Sequence, residues 1–110
     1  MMLQLFQNII GNGIKYNESM QPTIRIKHRV FTDRVEISIA DNGIGIPEHL
    51  REKAFQIFQR LHTNREYKGT GIGLAICKKI VENLEGKIHI ENNPSGGSIF
   101  RIVLPKSVMA

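Results

Sequence analysis

The sequence predicts a two-layer α/β sandwich, in which a mixed but largely antiparallel sheet is covered on one face by about three helices. The order of the elements is helix, hairpin, helix, loop, helix, hairpin. Strands that follow one another through short turns are typical of antiparallel pairing. Too few crossover connections remain for a doubly wound parallel sheet.

Length and composition set the broad class. With 110 residues, of which 41% are hydrophobic and 23% charged, the chain suits one globular domain over residues 1–110. No apolar run reaches the ~18 residues of a membrane span, so we expect no direct membrane insertion. The lone Cys77 excludes an internal disulfide and fits a reducing cytosol. We therefore expect a cytoplasmic location.

The first three elements follow from periodicity. Apolar residues at helical spacing predict a helix over 2–16. Strict alternation of apolar and polar residues predicts strands over 23–31 and 34–40. The two residues between these strands suit a tight turn, so the strands should form a hairpin.

The middle of the chain contains two predicted helices and a loop. Pro47 suits the start of a short helix that runs to about residue 58. Residues 59–70 are polar and lack periodicity, which predicts a mobile loop. A longer helix should span 71–85, with Gly86 as its C-terminal stop and a buried side formed by Ile72, Ile76, Cys77, Ile80, Val81 and Leu84.

The last predicted element is a second hairpin. Its strands cover 87–91 and 98–104 and are joined by the sequence NNPSGG. The order of elements is thereby complete without an internal repeat or a linker between domains.

Net charge indicates an anionic partner. The formal charge is +5 and the pI is about 9.7. The densest basic cluster, Arg25, Lys27 and Arg29, lies on one face of a predicted strand, where a solvated face is the simplest interpretation. No aromatic residue interleaves with it, so a nucleic-acid partner is not expected. Nucleotide phosphates and acidic protein surfaces remain as candidate anionic partners.

The first helix carries a polar stripe that suits a metal–phosphate site. Asn8, Asn12 and Lys15 share one face. Amide oxygens suit Mg²⁺ that shares its shell with phosphates and water, and lysine suits a phosphate. Gly11 and Gly13 each destabilise the helix by about 1 kcal/mol relative to alanine, unless something packs closely there. A plain solvated polar face explains the stripe alone, but not the glycines.

A carboxylate and two glycines follow the second strand. Asp41 ends the strand and is well placed to accept a hydrogen bond from an exocyclic amine such as that of adenine. Gly43 and Gly45 would leave room for a flat ring. A simple Asp-Asn-Gly turn between strand and helix is the alternative.

A second group of glycines opens the longer helix. Gly69, Gly71 and Gly73 precede its apolar face, and the amides of a helix N-terminus can bind phosphate. Leu74 stands where a dinucleotide-binding fingerprint needs its third glycine, and the phosphate-loop pattern is absent. Dinucleotide binding is therefore disfavoured, whereas phosphate binding is not.

Four motifs together resemble the ATP-binding catalytic domain of sensor histidine kinases. LFQNIIGNGIKYN is similar to the asparagine box of that family, DNGIGI to its first glycine box, KAFQIFQRLH to its phenylalanine box, and GTGIGLAICKKIVENLEGKIHIE to its second glycine box. GGSIFRIVLP is similar to the closing strand. The resemblance implies a Bergerat-type ATP-binding fold, with ATP and Mg²⁺ as cofactors.

The resemblance also implies roles for individual residues. Asn12 would coordinate Mg²⁺ with Asn8 beside it, and the catalytic set would be Asn12, Lys15 and Arg60. Phe55 would help to anchor a lid over about 59–70. The ATP contacts implied by the motifs are Asn8, Asn12, Lys15, Tyr16, Asp41, Gly43, Gly45, Ile46, Phe58, Gly69, Thr70, Gly71, Gly73 and Leu74.

The function implied is transfer of the γ-phosphoryl group to a histidine on a separate phosphoacceptor and dimerisation domain, with a response regulator downstream. The chain begins at the asparagine box, so we expect one edge strand of the family fold to be missing. We also expect the isolated chain to be nearly inactive without the phosphoacceptor domain. Two alternatives are a related ATPase or anti-sigma-factor serine kinase, and a nucleotide-dependent interaction module without kinase activity. The phenylalanine box disfavours the former, and the intact Asn12 and Asp41 disfavour the latter.

Overall fold

A computed structural model describes residues 2–15, 17–18, 20–55 and 71–109. The helices are α1 (Met2–Lys15), α2 (Arg51–Ala54) and α3 (Gly71–Asn83), and the strands are β1 (Ile24–Val30), β2 (Arg34–Asp41), β3 (Lys87–Asn92) and β4 (Ser98–Pro105). Single 3₁₀ turns cover Glu48–Leu50 and Lys106–Met109. The predicted lid over 59–70 lies outside the described residues. No helix in the described part is long and apolar enough to cross a membrane.

The sheet confirms the predicted fold class. Its strand order is β1-β2-β4-β3, and each neighbouring pair among these four strands is antiparallel. The two hairpins predicted from the sequence are β1–β2 and β3–β4. They join through β2 and β4, so the centre of the sheet pairs strands that are far apart in the chain.

One face of the sheet and the helices enclose the core. Alternate residues of β2 are buried, and they begin with Val35 and end with Asp41. The helices α1 and α3 pack on this face through the fully buried Leu5, Ile9, Cys77 and Val81. Cys77 was predicted to be a core residue, and it is 0% exposed. Because β2 alternates strictly, Asp41 is carried onto the helix-covered face like the aliphatic residues before it.

The short helix after β2 is less regular than predicted. It consists of a 3₁₀ turn over Glu48–Leu50 and the four residues of α2, and the residues after Phe55 are not among those described. Phe55 is buried, and the Lys78 ammonium lies 5.8 Å from its ring centroid. This short segment therefore packs into the core through Phe55 and the buried Ala54.

The end of α3 corrects the prediction for Gly86. Glu85 donates its N–H to Glu82 O at 2.9 Å, and Gly86 donates to Val81 O at 2.8 Å, which is the Schellman pattern. The left-handed position of this motif is occupied by Glu85, with φ 61°, and not by the glycine. Gly86 serves close packing instead, since a β-carbon there would collide with the carbonyl oxygen of Val103.

Replacing Glu85 should test this arrangement. A non-glycine residue in the left-handed region is disfavoured by about 1–2 kcal/mol. We expect Glu85→Gly to be about 1 kcal/mol more stable than Glu85→Ala, which removes the same charge but keeps a β-carbon. Urea denaturation of both variants measures the difference. Equal free energies of unfolding would contradict a strained position.

Candidate functional site

Asp41 is a buried carboxylate with one oxygen fixed by the backbone. It is 7% exposed. Its Oδ1 accepts hydrogen bonds from the N–H groups of Gly43 at 2.9 Å and Ser98 at 3.1 Å. Burial raises the pKa of the Asp41 carboxyl above its usual value, and these two N–H groups offset part of the rise. No described residue donates to Oδ2, so this oxygen can accept a hydrogen bond from a ligand.

The turn between β3 and β4, residues 93–97, packs against the backbone oxygen and Oδ1 of Asp41. Asn93 Nδ2 donates to the backbone oxygen of Asp41 at 2.9 Å, and the Asn93 N–H donates to Gly97 O at 3.0 Å. Gly97 has φ 93°, and a β-carbon on it would collide with Asp41 O and lie 2.7 Å from both Asp41 Oδ1 and Gly43 N. Sequence reasoning assigned this turn only a connecting role. The paired glycines before β4 were the one signal of a close approach.

Asn42 ties the segment after α1 to the end of β2. Its Oδ1 accepts from the Thr23 N–H at 2.8 Å and from Asn17 Nδ2 at 2.7 Å. Its Nδ2 donates to Gln21 O at 3.0 Å. Asn17 Nδ2 also lies 3.2 Å from Gly13 O, near the end of α1. The Asn42 side chain therefore fixes the end of α1 and the segment after it relative to Asp41.

The two glycines of α1 have different surroundings. A β-carbon on Gly13 would lie 2.9 Å from Asp41 Cβ and 2.8 Å from Ile24 Cδ1. The helix thus approaches the carboxylate closely at this glycine. Gly11 is exposed, and a β-carbon on it would have no described atom within 4 Å beyond its own helix backbone and chain neighbours. The expectation of close packing is therefore confirmed for Gly13, whereas at Gly11 the described residues do not test it.

Asn8 and Asn12 lie one turn apart on α1, and both are half-buried. The Asn8 Nδ2 atom is buried and has no hydrogen-bond partner among the described residues, so the exposed part of this residue does not include its amide nitrogen. The side chain lies near Cys77, whose thiol donates weakly to Leu5 O at 3.8 Å. Burial raises the pKa of the Cys77 thiol to about 11, and the Asn8 amide opposes the shift. This thiol is a core group, not a nucleophile.

The residues after Asp41 form a shaped loop. Gly45 has φ 78°, and a β-carbon on it would lie 3.3 Å from Gly97 O. Ile46 is half-buried against the core, and its carbonyl oxygen accepts from Arg51 Nε at 3.1 Å. This loop and the turn before β4 therefore border Asp41 from two sides.

The helix α3 begins at Gly71 in the described chain. The N–H groups of the first turn of a helix have no intrahelical partner, and Gly71 and Gly73 lie in the first described turn of α3. The Leu74 side chain is 2% exposed and belongs to the core, so only its backbone could meet a ligand. The remaining predicted site residues lie outside the described residues: Tyr16, Phe58, Arg60, Gly69, Thr70 and the side chain of Lys15.

The fold and these contacts define an open α/β sandwich with a buried carboxylate between two glycine-containing turns. Over residues 1–108 the chain matches the family described as histidine kinase-, DNA gyrase B- and HSP90-like ATPase. The chain belongs to this family. The resemblance to histidine kinase catalytic domains read from the four motifs is thereby confirmed.

Individual relatives agree with this assignment. Phytochrome-like protein Cph1 of Synechocystis sp. is 50% identical over 104 residues, which cover 94% of this chain and 14% of that protein. The mycobacterial sensor histidine kinase MprB has a TM-score of 0.82 at 28% identity, covering 93% of this chain and 70% of that one. Histidine kinase ThkA, solved in complex with the response regulator protein TrrA, has a TM-score of 0.75 at 31% identity, covering 98% of this chain and 29% of that one. This chain thus spans only a small part of Cph1 and ThkA.

Proposed function

We propose that this chain binds ATP with Mg²⁺ and supplies the catalytic half of a histidine kinase. In this reaction the γ-phosphoryl group of ATP passes to a histidine on a separate phosphoacceptor domain. Family membership supports an ATP-binding role. The observation that carries the proposal is Asp41, a buried carboxylate with Oδ1 held by two backbone N–H groups and Oδ2 left for a ligand. Residues 1–110 would form a single ATP-binding domain.

The adenine end of the site would be built on Asp41. Its Oδ2 would accept the hydrogen bond of the adenine amino group, which requires the ionised carboxylate. Gly43, Gly45 and Ile46 would border the ring, because their loop lies beside Asp41 and Gly45 leaves space that a side chain would fill. Burial excludes water from this hydrogen bond and so strengthens it.

The phosphate end would lie between α1 and the start of α3. The amides of Gly71 and Gly73, in the first described turn of α3, suit an anion at a helix N-terminus, and Leu74 follows them. Asn8, Asn12 and Lys15 lie on α1, which packs against α3 through Leu5 and Cys77. We assign the other phosphate and lid contacts to Tyr16, Phe58, Arg60, Gly69 and Thr70.

The donor set fits Mg²⁺ that is shared with the phosphates. No group of three or more His, Cys, Asp or Glu in the described ranges could hold a metal ion by itself. Asn8 and Asn12 offer neutral amide oxygens, and the buried nitrogen of Asn8 leaves its oxygen as the atom that can meet a ligand. Mg²⁺ prefers oxygen ligands and retains waters and phosphates in its shell. When bound, it would neutralise charge on the phosphates.

The chain's own contribution would be positioning and charge stabilisation. Phosphoryl transfer needs little else from the protein, apart from an oriented nucleophile. His28 and His89 are exposed side chains on the sheet, and His49 is exposed before α2. We assign the phosphoacceptor histidine to a separate domain of the same kinase and expect a response regulator downstream. A reducing cytoplasm suits this module and its single cysteine.

Asn12→Ala should abolish phosphotransfer while the protein stays folded. The substitution removes one proposed Mg²⁺ ligand from a half-buried helical position and favours the helix slightly. The experiment mixes the chain with a phosphoacceptor domain and γ-labelled ATP, and it measures acid-labile phosphate on that domain. Asn83→Ala, at the exposed end of α3, is the matched control and should transfer at the normal rate.

The same experiment tests the isolated chain. Without the added domain, we expect very slow turnover of ATP and no label on a histidine of this chain, since an oriented acceptor supplies several kcal/mol of the barrier reduction. Label on His28, His49, His62 or His89 would contradict the proposal. Full-rate transfer by folded Asn12→Ala would also contradict it.

A further inference from the structure

The sheet face opposite the helices contains a depression of about 530 Å³. Its floor is formed by Ser38 and Ala40, two short side chains on the central strand β2. Long side chains from the neighbouring strands rise around them. Ser38 lies opposite Lys27 of β1 and Arg101 of β4, and Ala40 lies opposite Arg25. Short residues on a central strand between long basic residues produce the hollow.

The positive charge around this depression is only partly compensated. Arg101 Nε pairs with Glu91 Oε1 at 2.7 Å, and Glu91 also contacts His89. Arg25 and Lys27 have no ion pair within the described part of the chain. Neighbouring strands lie about 4.8 Å apart, so the backbones at Lys27 and Arg101 are about 10 Å apart. Ser38 lies between them on β2. Arginine guanidinium groups present paired donors that match phosphate and carboxylate geometry.

We propose that this depression is a second ligand site, which binds a compact anion carrying two or more phosphate or carboxylate charges. It lies on the sheet face opposite the core. Asp41 borders it at one end, but the Asp41 side chain lies on the buried, helix-covered face, where the proposed ATP contact is made. A volume of about 530 Å³ is in the range of small-molecule sites. The lining contains no aromatic side chain among the described residues on which a nucleobase could stack, so a nucleic-acid strand fits poorly.

The depression also lies close to the residues that hold Asp41 in place. Asn42 and Asn93 are part of its lining. Asn93 Nδ2 donates to the backbone oxygen of Asp41, and Asn42 holds the segment after α1. Their side-chain amide signals are therefore local reporters of an anion in the depression.

The test is a nuclear magnetic resonance titration of the whole chain, without Mg²⁺, with pyrophosphate and separately with citrate. We expect saturable shifts at Arg25, Lys27, Ser38 and the Asn93 side-chain amide. Arg25→Gln/Lys27→Gln should weaken this binding about tenfold or more. Lys53→Gln/Lys79→Gln removes the same charge from exposed helical positions and should leave the affinity nearly unchanged. All four substituted side chains are exposed, so neither double substitution should destabilise the fold.

The outcomes separate the sources of binding. Saturation by pyrophosphate alone identifies a phosphate ligand, and saturation by citrate alone identifies a carboxylate ligand. Equal weakening by both double variants would overturn the proposal in favour of non-specific charge attraction. Shifts confined to α1 and the start of α3 would overturn it in favour of the ATP site. No saturation by either anion would overturn it as well.

Discussion

Asp41→Asn should weaken ATP binding by roughly ten- to a hundredfold and change stability little. Loss of a charge-assisted hydrogen bond is worth about 1.5–3 kcal/mol. Asparagine can keep the oxygen that accepts from the Gly43 and Ser98 N–H groups, because those bonds use only Oδ1. At the Oδ2 position it places an NH₂ group, which is a donor facing the donor amine of adenine. The ligand contact is lost while the internal contacts remain.

Calorimetry with two nucleotides makes the Asp41 experiment specific. The wild-type chain should bind ATP more tightly than a purine ribonucleoside triphosphate that lacks the 6-amino group, and Asp41→Asn should lose this preference. Asp41→Ala is the matched comparison, since it removes the internal hydrogen bonds as well and should also unfold more easily. Unchanged ATP affinity in folded Asp41→Asn would remove Asp41 from the adenine site.

Periodicity explains why the architecture could be predicted. The alternation of β2 is strict, so both its strand assignment and the burial of Val35, Ile37 and Ile39 follow from the sequence. The same alternation places Asp41 on the buried face. The helices α1 and α3 were also placed correctly, because their apolar residues recur at helical spacing over three turns or more.

The contacts around Asp41 could not be predicted because they are long-range. Asn93 and Asp41 are 52 positions apart and meet only when β2 and β4 pair in the observed register. Nothing in the composition of NNPSGG specifies that register. The strained Glu85 was missed for a different reason: glycine next to it is the usual left-handed residue, and only backbone geometry shows that the motif is shifted by one position.

The basic depression illustrates a third limit. Sequence alternation placed Arg25, Lys27 and Arg29 on one strand face, and a solvated face was the simplest interpretation. The depression depends also on Ser38 and Arg101, whose positions beside Lys27 follow from pairing across three strands. A cavity floor made by short residues on a central strand is visible only once the strand order is known.

Gly97→Ala should destabilise the protein and disrupt the Asp41 site together. A residue with a β-carbon at φ 93° is strained by about 1–3 kcal/mol. The new methyl group would also collide with the backbone oxygen of Asp41 and crowd its Oδ1 and the Gly43 N–H. The turn must then move away from Asp41, which displaces the Ser98 N–H that holds the carboxylate. We expect ATP affinity to fall even in the molecules that remain folded.

Gly96→Ala is the control that separates strain from contact. Gly96 has a similar φ of 103°, but no described atom lies within 4 Å of the place that its β-carbon would take. Both variants therefore bear backbone strain, whereas only Gly97→Ala bears the collision. We expect Gly97→Ala to be less stable than Gly96→Ala by about 2 kcal/mol or more in urea denaturation. Only Gly97→Ala should lose ATP affinity in calorimetry, because only its methyl group reaches Asp41. Equal stability and equal ATP affinity of the two variants would show that the turn does not hold the carboxylate in place.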